Sequence, residues 1–230
     1  MTEKNTEEKK TLADTVGGVL TKYRVFFLCV IVGLIVVAVA WGIISYVSSS
    51  SHMKGLDQLD AIMHTLSKEA SAANDEAGVD AAREVALPQV LELAAKNKGT
   101  IVGLRANMAA AELYFSQGKW SEARDCWLEA AATKDAGYTA PVCYYNAAVC
   151  SEELSDVDAA ISYYEKVLSS DECEFEPHVL FSLGRLSEGK GDYVAASENY
   201  LSLKDQYPSD AWTNLAESRL IALRAEGKIQ

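Results

Sequence analysis

A long apolar run lies near the start of the chain, and beyond it apolar and polar positions alternate at helical spacing. The run extends from Val25 to Val47 and contains 23 residues without a charged side chain. As a helix it would be about 34 Å long, against a bilayer hydrocarbon core of about 30 Å. We therefore predict a transmembrane helix at 25–47, followed by a short polar linker at 48–54.

The charged residues around this run predict its orientation. Lys22 and Arg24 lie immediately before it, whereas Lys54 is the one Lys or Arg among the fifteen residues that follow it. The positive-inside rule then places residues 1–24 in the cytoplasm and the large C-terminal domain outside it. A cleaved signal peptide is the alternative, because the run contains an A-x-A sequence that ends at Ala40.

After the linker, apolar residues recur every three or four positions in segments separated by short turns, which is typical of paired amphipathic helices. The first pair, at 55–97, is degenerate, and Pro88 either kinks its second helix or begins a shorter one. Three similar segments and a last amphipathic helix complete the domain. The predicted boundaries are 104–137, 141–173 and 177–208 for the repeats, 210–225 for a capping helix and 55–230 for the whole domain.

Each repeat carries an alanine that is followed four residues later by a large aromatic residue. The alanines are Ala123, Ala160 and Ala196, and the aromatic residues are Trp127, Tyr164 and Tyr200. This pattern resembles the tetratricopeptide repeat (TPR), a helix-turn-helix unit in which small residues let two helices touch and an aromatic residue fills the space beside them. The resemblance implies an all-α fold, a TPR-type α-solenoid of about three to four helix pairs with a single transmembrane helix before it.

Charge and reactive side chains favour binding over catalysis. Beyond the apolar run, 16 Lys and Arg stand against 29 Asp and Glu, and this net charge of −13 argues against nucleic acid as a partner. The sequence contains no phosphate-binding loop, nucleophile elbow, zinc-protease motif or dinucleotide fingerprint. We therefore expect no enzyme activity, no cofactor, no metal site and no small-molecule substrate. Two states remain open for the thiols of Cys126, Cys143, Cys150 and Cys173, namely free or joined in a disulfide.

The repeat register also predicts a protein-binding groove, because the first helix of each unit presents its second, fifth, ninth and twelfth places to it. These places mix aromatic, apolar and charged side chains, which suits an extended or helical peptide segment. The residues are Arg105, Met108, Glu112 and Phe115 in the first repeat, Val142, Tyr145, Val149 and Glu152 in the second, and His178, Phe181, Arg185 and Glu188 in the third. Burial of some of them under the N-terminal helices is the alternative. Only Arg185 would suit the carboxylate clamp of TPR co-chaperones, so that ligand is not expected.

The segment LAAKNKGTIVGLRANMAAAELYFSQGKWSEA, from Leu93 to Ala123, resembles the junction into the first regular repeat of the ancillary SecYEG translocon subunit family (YfgM-like). Members of that family have a short cytoplasmic N-terminus, one inner-membrane helix and periplasmic TPR units. The resemblance implies an adaptor or chaperone beside the Sec translocon, with translocon subunits, a periplasmic chaperone or secreted clients as partners. A scaffold for another envelope assembly, such as the cell-division or cell-wall machinery, is the alternative function.

Overall fold

The computed structural model describes residues 22–134, 136–170, 173 and 175–230, which fall into two compact units, Met1–Ser51 and His52–Gln230. Helix α1, Arg24–Ala72, contributes residues to both units. Most of the predicted cytoplasmic segment, residues 1–21, lies outside the described residues.

In the first unit, α1 is apolar, and the apolar side chains that the structure describes there are exposed. From Arg24 to Ile43 it has a mean hydropathy of 2.9 and is long and apolar enough to cross a membrane, by length and composition, which are properties that a signal sequence shares. The prediction of a linker at 48–54 was wrong, because α1 continues through these residues. They contain neither glycine nor proline, and extending an existing helix costs far less free energy than starting one.

The described residues of the second unit form eight more α-helices, joined by short turns. They are α2 (Glu76–Lys96), α3 (Ile101–Ser116), α4 (Trp120–Ala131), α5 (Ala140–Glu153), α6 (Val157–Leu168), α7 (Glu176–Gly189), α8 (Tyr193–Gln206) and α9 (Ala211–Ala225), with a 3-10 turn at Gly137–Thr139 before α5. From α2 onward, neighbouring helices pack against each other in chain order, as in a solenoid. No strand occurs in the described ranges, and the prediction of an all-α solenoid after one apolar helix is confirmed.

The turn inside each repeat requires a left-handed backbone at the same place. Gly118 and Gly191 have φ of 69° and 80° there, and Ser155 has φ of 59° at the matching position of the second repeat. Glycine adopts this conformation without steric cost, whereas serine is strained in it. Aspartate side chains then accept hydrogen bonds from the first turns of α6 and α8, through Asp156 and Asp192. These caps fix where the second helix of the last two repeats begins.

The repeat alanines lie where two helices touch. Ala123, Ala160 and Ala196 are completely buried, and so is the ring of Tyr200. Gly184 of α7 lies so close to this ring that a Cβ atom added to it would be 2.4 Å from Tyr200 Cε1. Small residues thus allow the close helix contact, and the aromatic ring fills the volume next to it.

Candidate protein-binding face

We call the accessible side of the first helices of the repeats, α3, α5 and α7, together with that of α9, the first-helix face. All twelve groove residues predicted from the repeat register lie on these helices. Arg105, Glu112 and Arg185 are exposed, and each of the other nine keeps part of its surface accessible. The N-terminal helices therefore leave these side chains accessible to a partner.

Five rings lie in contact across this face, and we call them the aromatic ladder: Phe175, Tyr145, His178, Trp212 and Phe181. The ring centroids of Tyr145 and Phe175 are 5.0 Å apart, and those of Tyr145 and His178 are 5.5 Å apart. His178 lies 4.2 Å from Trp212, which in turn lies 5.2 Å from Phe181. The ladder joins α5 to α7 and α7 to α9, and its rings adopt the tilted and offset arrangements that aromatic pairs favour.

His178 is the central ring of the ladder and also makes a polar contact. Its Nδ1 lies 2.5 Å from the Tyr145 hydroxyl. Partial burial lowers the pKa of His178; nearby Glu152 opposes this shift and Arg185 adds to it. The imidazole is therefore neutral at pH 7, and its Nδ1 can accept a hydrogen bond from the Tyr145 hydroxyl.

Two carboxylates of this face, Glu152 and Glu188, each accept a hydrogen bond from a tyrosine and pair with an arginine. Glu152 accepts a hydrogen bond from the Tyr164 hydroxyl at 2.8 Å and forms an ion pair with Arg185. Glu188 accepts one from the Tyr200 hydroxyl at 3.1 Å and forms an ion pair with Arg219. In both cases the tyrosine lies 12 residues after the glutamate, whereas the arginine comes from the next repeat or from α9.

These contacts change the protonation equilibria of the groups involved. Hydrogen bonds from Arg219 lower the pKa of Glu188, with a further contribution from the Tyr200 hydroxyl and from the charge of Lys228. Burial is the main cause that raises the pKa of Tyr164 and of Tyr200. At neutral pH both tyrosines are therefore protonated donors, and Glu188 is an ionised acceptor.

The first repeat departs from this arrangement. Phe115 stands at the position of Glu152 and Glu188, and Trp127 stands at the position of the two tyrosines. Phe115 packs against Trp120, with ring centroids 4.7 Å apart, and Trp127 is buried without a hydrogen-bond partner for its Nε1 among the described residues. Because phenylalanine replaces the acceptor, the indole N–H has no carboxylate to bind. Met108 packs partly buried in the same apolar cluster.

An open cavity of about 380 Å³ lies beside the ladder, between α7 and α9. Phe181 belongs to both the ladder and the cavity wall. Arg185, Glu188, Gly189, Tyr200 and Arg219 complete the lining. The first-helix face therefore combines an aromatic surface with an adjoining polar cavity.

Three residues of this face, Phe175, Trp212 and Arg219, were not predicted from the sequence. Trp212 follows His178 by 34 residues and Arg219 follows Arg185 by 34, which is the length of one tetratricopeptide repeat. Extending the repeat register onto α9 would have identified both. The helix predicted as a cap is thus placed as the first helix of a fourth unit.

The chain also carries histidine, cysteine and acidic side chains, which are the residue types that bind metals or act as nucleophiles. No group of three His, Cys, Asp or Glu that could hold a metal ion occurs among the described residues. The five cysteines are free thiols. Burial raises the pKa of Cys126 and Cys150 to about 11 and that of Cys143 to about 12, so these thiols are poor nucleophiles at neutral pH.

Comparison with known proteins points to a repeat protein. A profile of a domain of unknown function (DUF6340) matches residues 109–181. A TPR repeat-containing protein of Treponema pallidum is 30% identical over 122 residues, which cover 53% of this chain and 51% of that protein. The chain thus matches about half the length of this relative. A solved structure from a study of Pseudomonas aeruginosa pilF is 15% identical, with a TM-score of 0.33, over 74% of this chain and 96% of that one.

Proposed function

We propose that this chain is a membrane-anchored periplasmic adaptor or chaperone, and that its first-helix face holds segments of partner proteins. The aromatic ladder is the observation that carries the proposal. The tetratricopeptide pattern, the helix pairing and the Treponema pallidum relative all support a protein–protein interaction module. Translocon subunits, a periplasmic chaperone or secreted clients at the Sec translocon are the proposed partners.

The composition of the ladder suits protein recognition. Tryptophan, tyrosine and arginine are enriched among the residues that dominate binding energy at protein interfaces, and all three occur on this face. The ladder rings already contact one another in the free chain, so a partner would order few additional side chains on binding. A partner segment with apolar or aromatic side chains would therefore bind with a small entropic cost.

The proposed setting rests on the N-terminal region. The apolar part of α1 would serve as the anchor, and the basic residues before it favour a cytoplasmic N-terminus with the repeats on the other side of the membrane. The bacterial origin of the matched relative is consistent with an inner-membrane location. The strongly acidic repeat domain supports protein partners over nucleic acid.

Site-specific photo-crosslinking in living cells tests this proposal. A photoreactive amino acid replaces Phe175, which is 36% exposed at one end of the ladder, or Val194, which is 67% exposed on α8 and serves as the matched control. We expect position 175 to crosslink translocon subunits or secreted chains, because it would lie at the partner interface. Position 194 should give none of these products.

Two results would contradict the proposal. Identical products from positions 175 and 194 would mean that the first-helix face has no special role. Products from position 175 that contain neither translocon subunits nor secreted chains would remove the Sec assignment and leave an interaction module for another assembly.

A further inference from the structure

Two arginines line the cavity between α7 and α9, and each is more exposed than the carboxylate with which it is paired. The Arg185 and Arg219 side chains are 49% and 45% exposed, whereas their partners Glu152 and Glu188 are 20% and 15% exposed. Each ion pair is neutral as a whole, but an approaching group meets the guanidinium first. The local field at the cavity mouth therefore favours an anion.

Both guanidiniums retain donors for a ligand. Arg219 donates from Nε and Nη2 to Glu188, and Arg185 donates from Nη2 to Glu152. A guanidinium carries five N–H donors, so Nη1 of each arginine takes no acceptor among the described residues. The edge formed by Nη1 and the second N–H of Nη2 therefore remains for a ligand, and arginine binds carboxylates through two parallel hydrogen bonds from such an edge.

The cavity also has an apolar side, formed by Phe181, which indicates what lies next to the carboxylate in a partner segment. Phe181 lines the cavity and also contacts Trp212 in the ladder, so a chain that reaches the cavity continues directly onto aromatic surface. We infer that the cavity receives an aspartate or glutamate side chain within a partner segment, with an aromatic or aliphatic side chain of that segment on the ladder. This inference rests on the proposed binding function.

The net negative charge of the domain does not exclude an acidic segment. Charges separated by more than about 8 Å in solution at physiological salt are largely screened, so the nearest groups dominate. Lys228 is a third cation whose charge acts on Glu188, and it is itself paired with Glu226, 2.7 Å from its Nζ. A single carboxylate beside apolar residues is thus favoured locally, whereas a long acidic tract would meet the distant acidic surface as well.

Peptide binding to the full-length protein in detergent micelles tests the inference. The probes are three pools of acetylated 12-residue peptides that contain one Phe, Leu or Trp at a fixed place. The first pool has Glu three residues later and an amidated end, the second has Gln there, and the third has Gln and a free C-terminal carboxylate. We expect the Glu pool to bind about tenfold more tightly than the Gln pool, as one charge-assisted hydrogen-bond pair would provide.

Substitutions in the cavity show which residues cause the preference for the Glu pool. Two variants should abolish the preference for the Glu pool over the Gln pool. The first is Arg185→Gln. The second combines Glu188→Gln with Arg219→Gln, so that neither partner of this ion pair is left as an unpaired charge. Lys204→Gln is the matched control, because it removes an ion pair between α8 and α9 that does not line the cavity. Circular dichroism confirms that each variant is folded before binding is measured.

The outcomes separate this inference from the proposed function. If the Glu and Gln pools bind equally well, the cavity does not receive an acidic side chain. If Trp212→Ala also weakens the binding of both pools, the ladder remains a binding surface. Tighter binding of the third pool overturns the choice of an internal side chain. If no pool binds, or Trp212→Ala changes nothing, the first-helix face is not the binding surface and the proposed function fails.

Discussion

Single residues decide how closely the helices approach in this domain, and Gly184 is the clearest case. Its neighbour Tyr200 is completely buried, and the Tyr200 hydroxyl is held by Glu188 at 3.1 Å. The ring cannot move aside without losing this hydrogen bond. A side chain at position 184 would therefore separate α7 from α8.

We expect Gly184→Ala to lower the free energy of unfolding by about 1–3 kcal/mol, because the new methyl group overpacks the contact with Tyr200. Denaturant unfolding followed by circular dichroism measures the change. Gly189→Ala, in the same helix, is the control: no atom lies within 4 Å of the added Cβ. That substitution should be neutral or stabilising by up to about 1 kcal/mol, since alanine favours a helix over glycine. Equal effects at both positions would contradict the packing argument.

For single residues, the repeat register predicted which positions are buried but not which charged residues pair with each other. Alanine and aromatic residues at fixed spacing identify Ala123, Ala160 and Tyr164 as interior residues, because only close helix contact explains the pattern. The ion pair of Glu188 with Arg219 could not be predicted, since a charged residue in a sequence carries no mark of which neighbour will neutralise it. Arg219 also lies on a helix that was assigned as a cap, where charged residues are expected to face solvent.

Among the helices, α5, α7 and α9 are joined through one imidazole. His178 contacts Tyr145 on α5 and Trp212 on α9 while it belongs to α7 itself. The charged groups that act on it are Glu152 from α5 and Arg185 from α7. Protonation of this single ring would thus disturb both ends of the ladder.

This arrangement predicts a pH dependence of stability. The pKa of His178 is lower in the folded chain than its ordinary value of about 6.5, so at acidic pH the unfolded chain binds the proton more readily. Stability should therefore decrease as the pH falls below about 6.5 and continue to decrease until the folded-state pKa is reached. Thermal unfolding between pH 8 and 5 measures this.

Two variants assign the effect to His178. His178→Gln keeps a neutral polar side chain and should flatten the decrease between pH 7 and 5. His64→Gln removes an exposed histidine of α1 and should leave the profile as in the unmodified chain. A profile that is unchanged in His178→Gln would show that other groups cause the acid sensitivity.

Most of the helices themselves could be predicted from periodicity, and the failures have local causes. Residues 48–54 look like a linker because serine is common in loops, yet the adjoining helix extends through them. Pro88 lies inside α2, where the carbonyl that its missing N–H leaves free belongs to exposed Glu84 and can bind water. In both places the surrounding helix overrides the local preference, which is weak for the serines and strong for Pro88.

For the molecule as a whole, the proposed function depends on which side of the membrane carries the repeats. We expect protease added to spheroplasts to digest residues 55–230 of the chain, because the basic residues before α1 favour a cytoplasmic N-terminus. Immunoblotting with an antibody against the repeat domain measures the loss. A cytoplasmic protein that stays intact in the same sample is the control for lysis.

A protected repeat domain would reverse the proposed topology and exclude periplasmic clients. Release of the digestible domain into the soluble fraction before protease is added would instead indicate cleavage near Ala40, and the chain would then have no anchor. Retention in the membrane fraction together with digestion supports the anchored form.

The glutamate–arginine ion pairs of the last two repeats join residues that are nearly the same distance apart in the sequence. Glu152 binds an arginine 33 residues later, and Glu188 binds one 31 residues later, so each link connects only adjacent units. A tandem duplication of the third repeat would carry its own glutamate, tyrosine and arginine, and every new carboxylate would meet a guanidinium in the copy beside it. The array can therefore lengthen by gene duplication at its C-terminal end without new compensating mutations. The first repeat lacks these contacts, because Phe115 and Trp127 occupy the positions of the glutamate and the tyrosine.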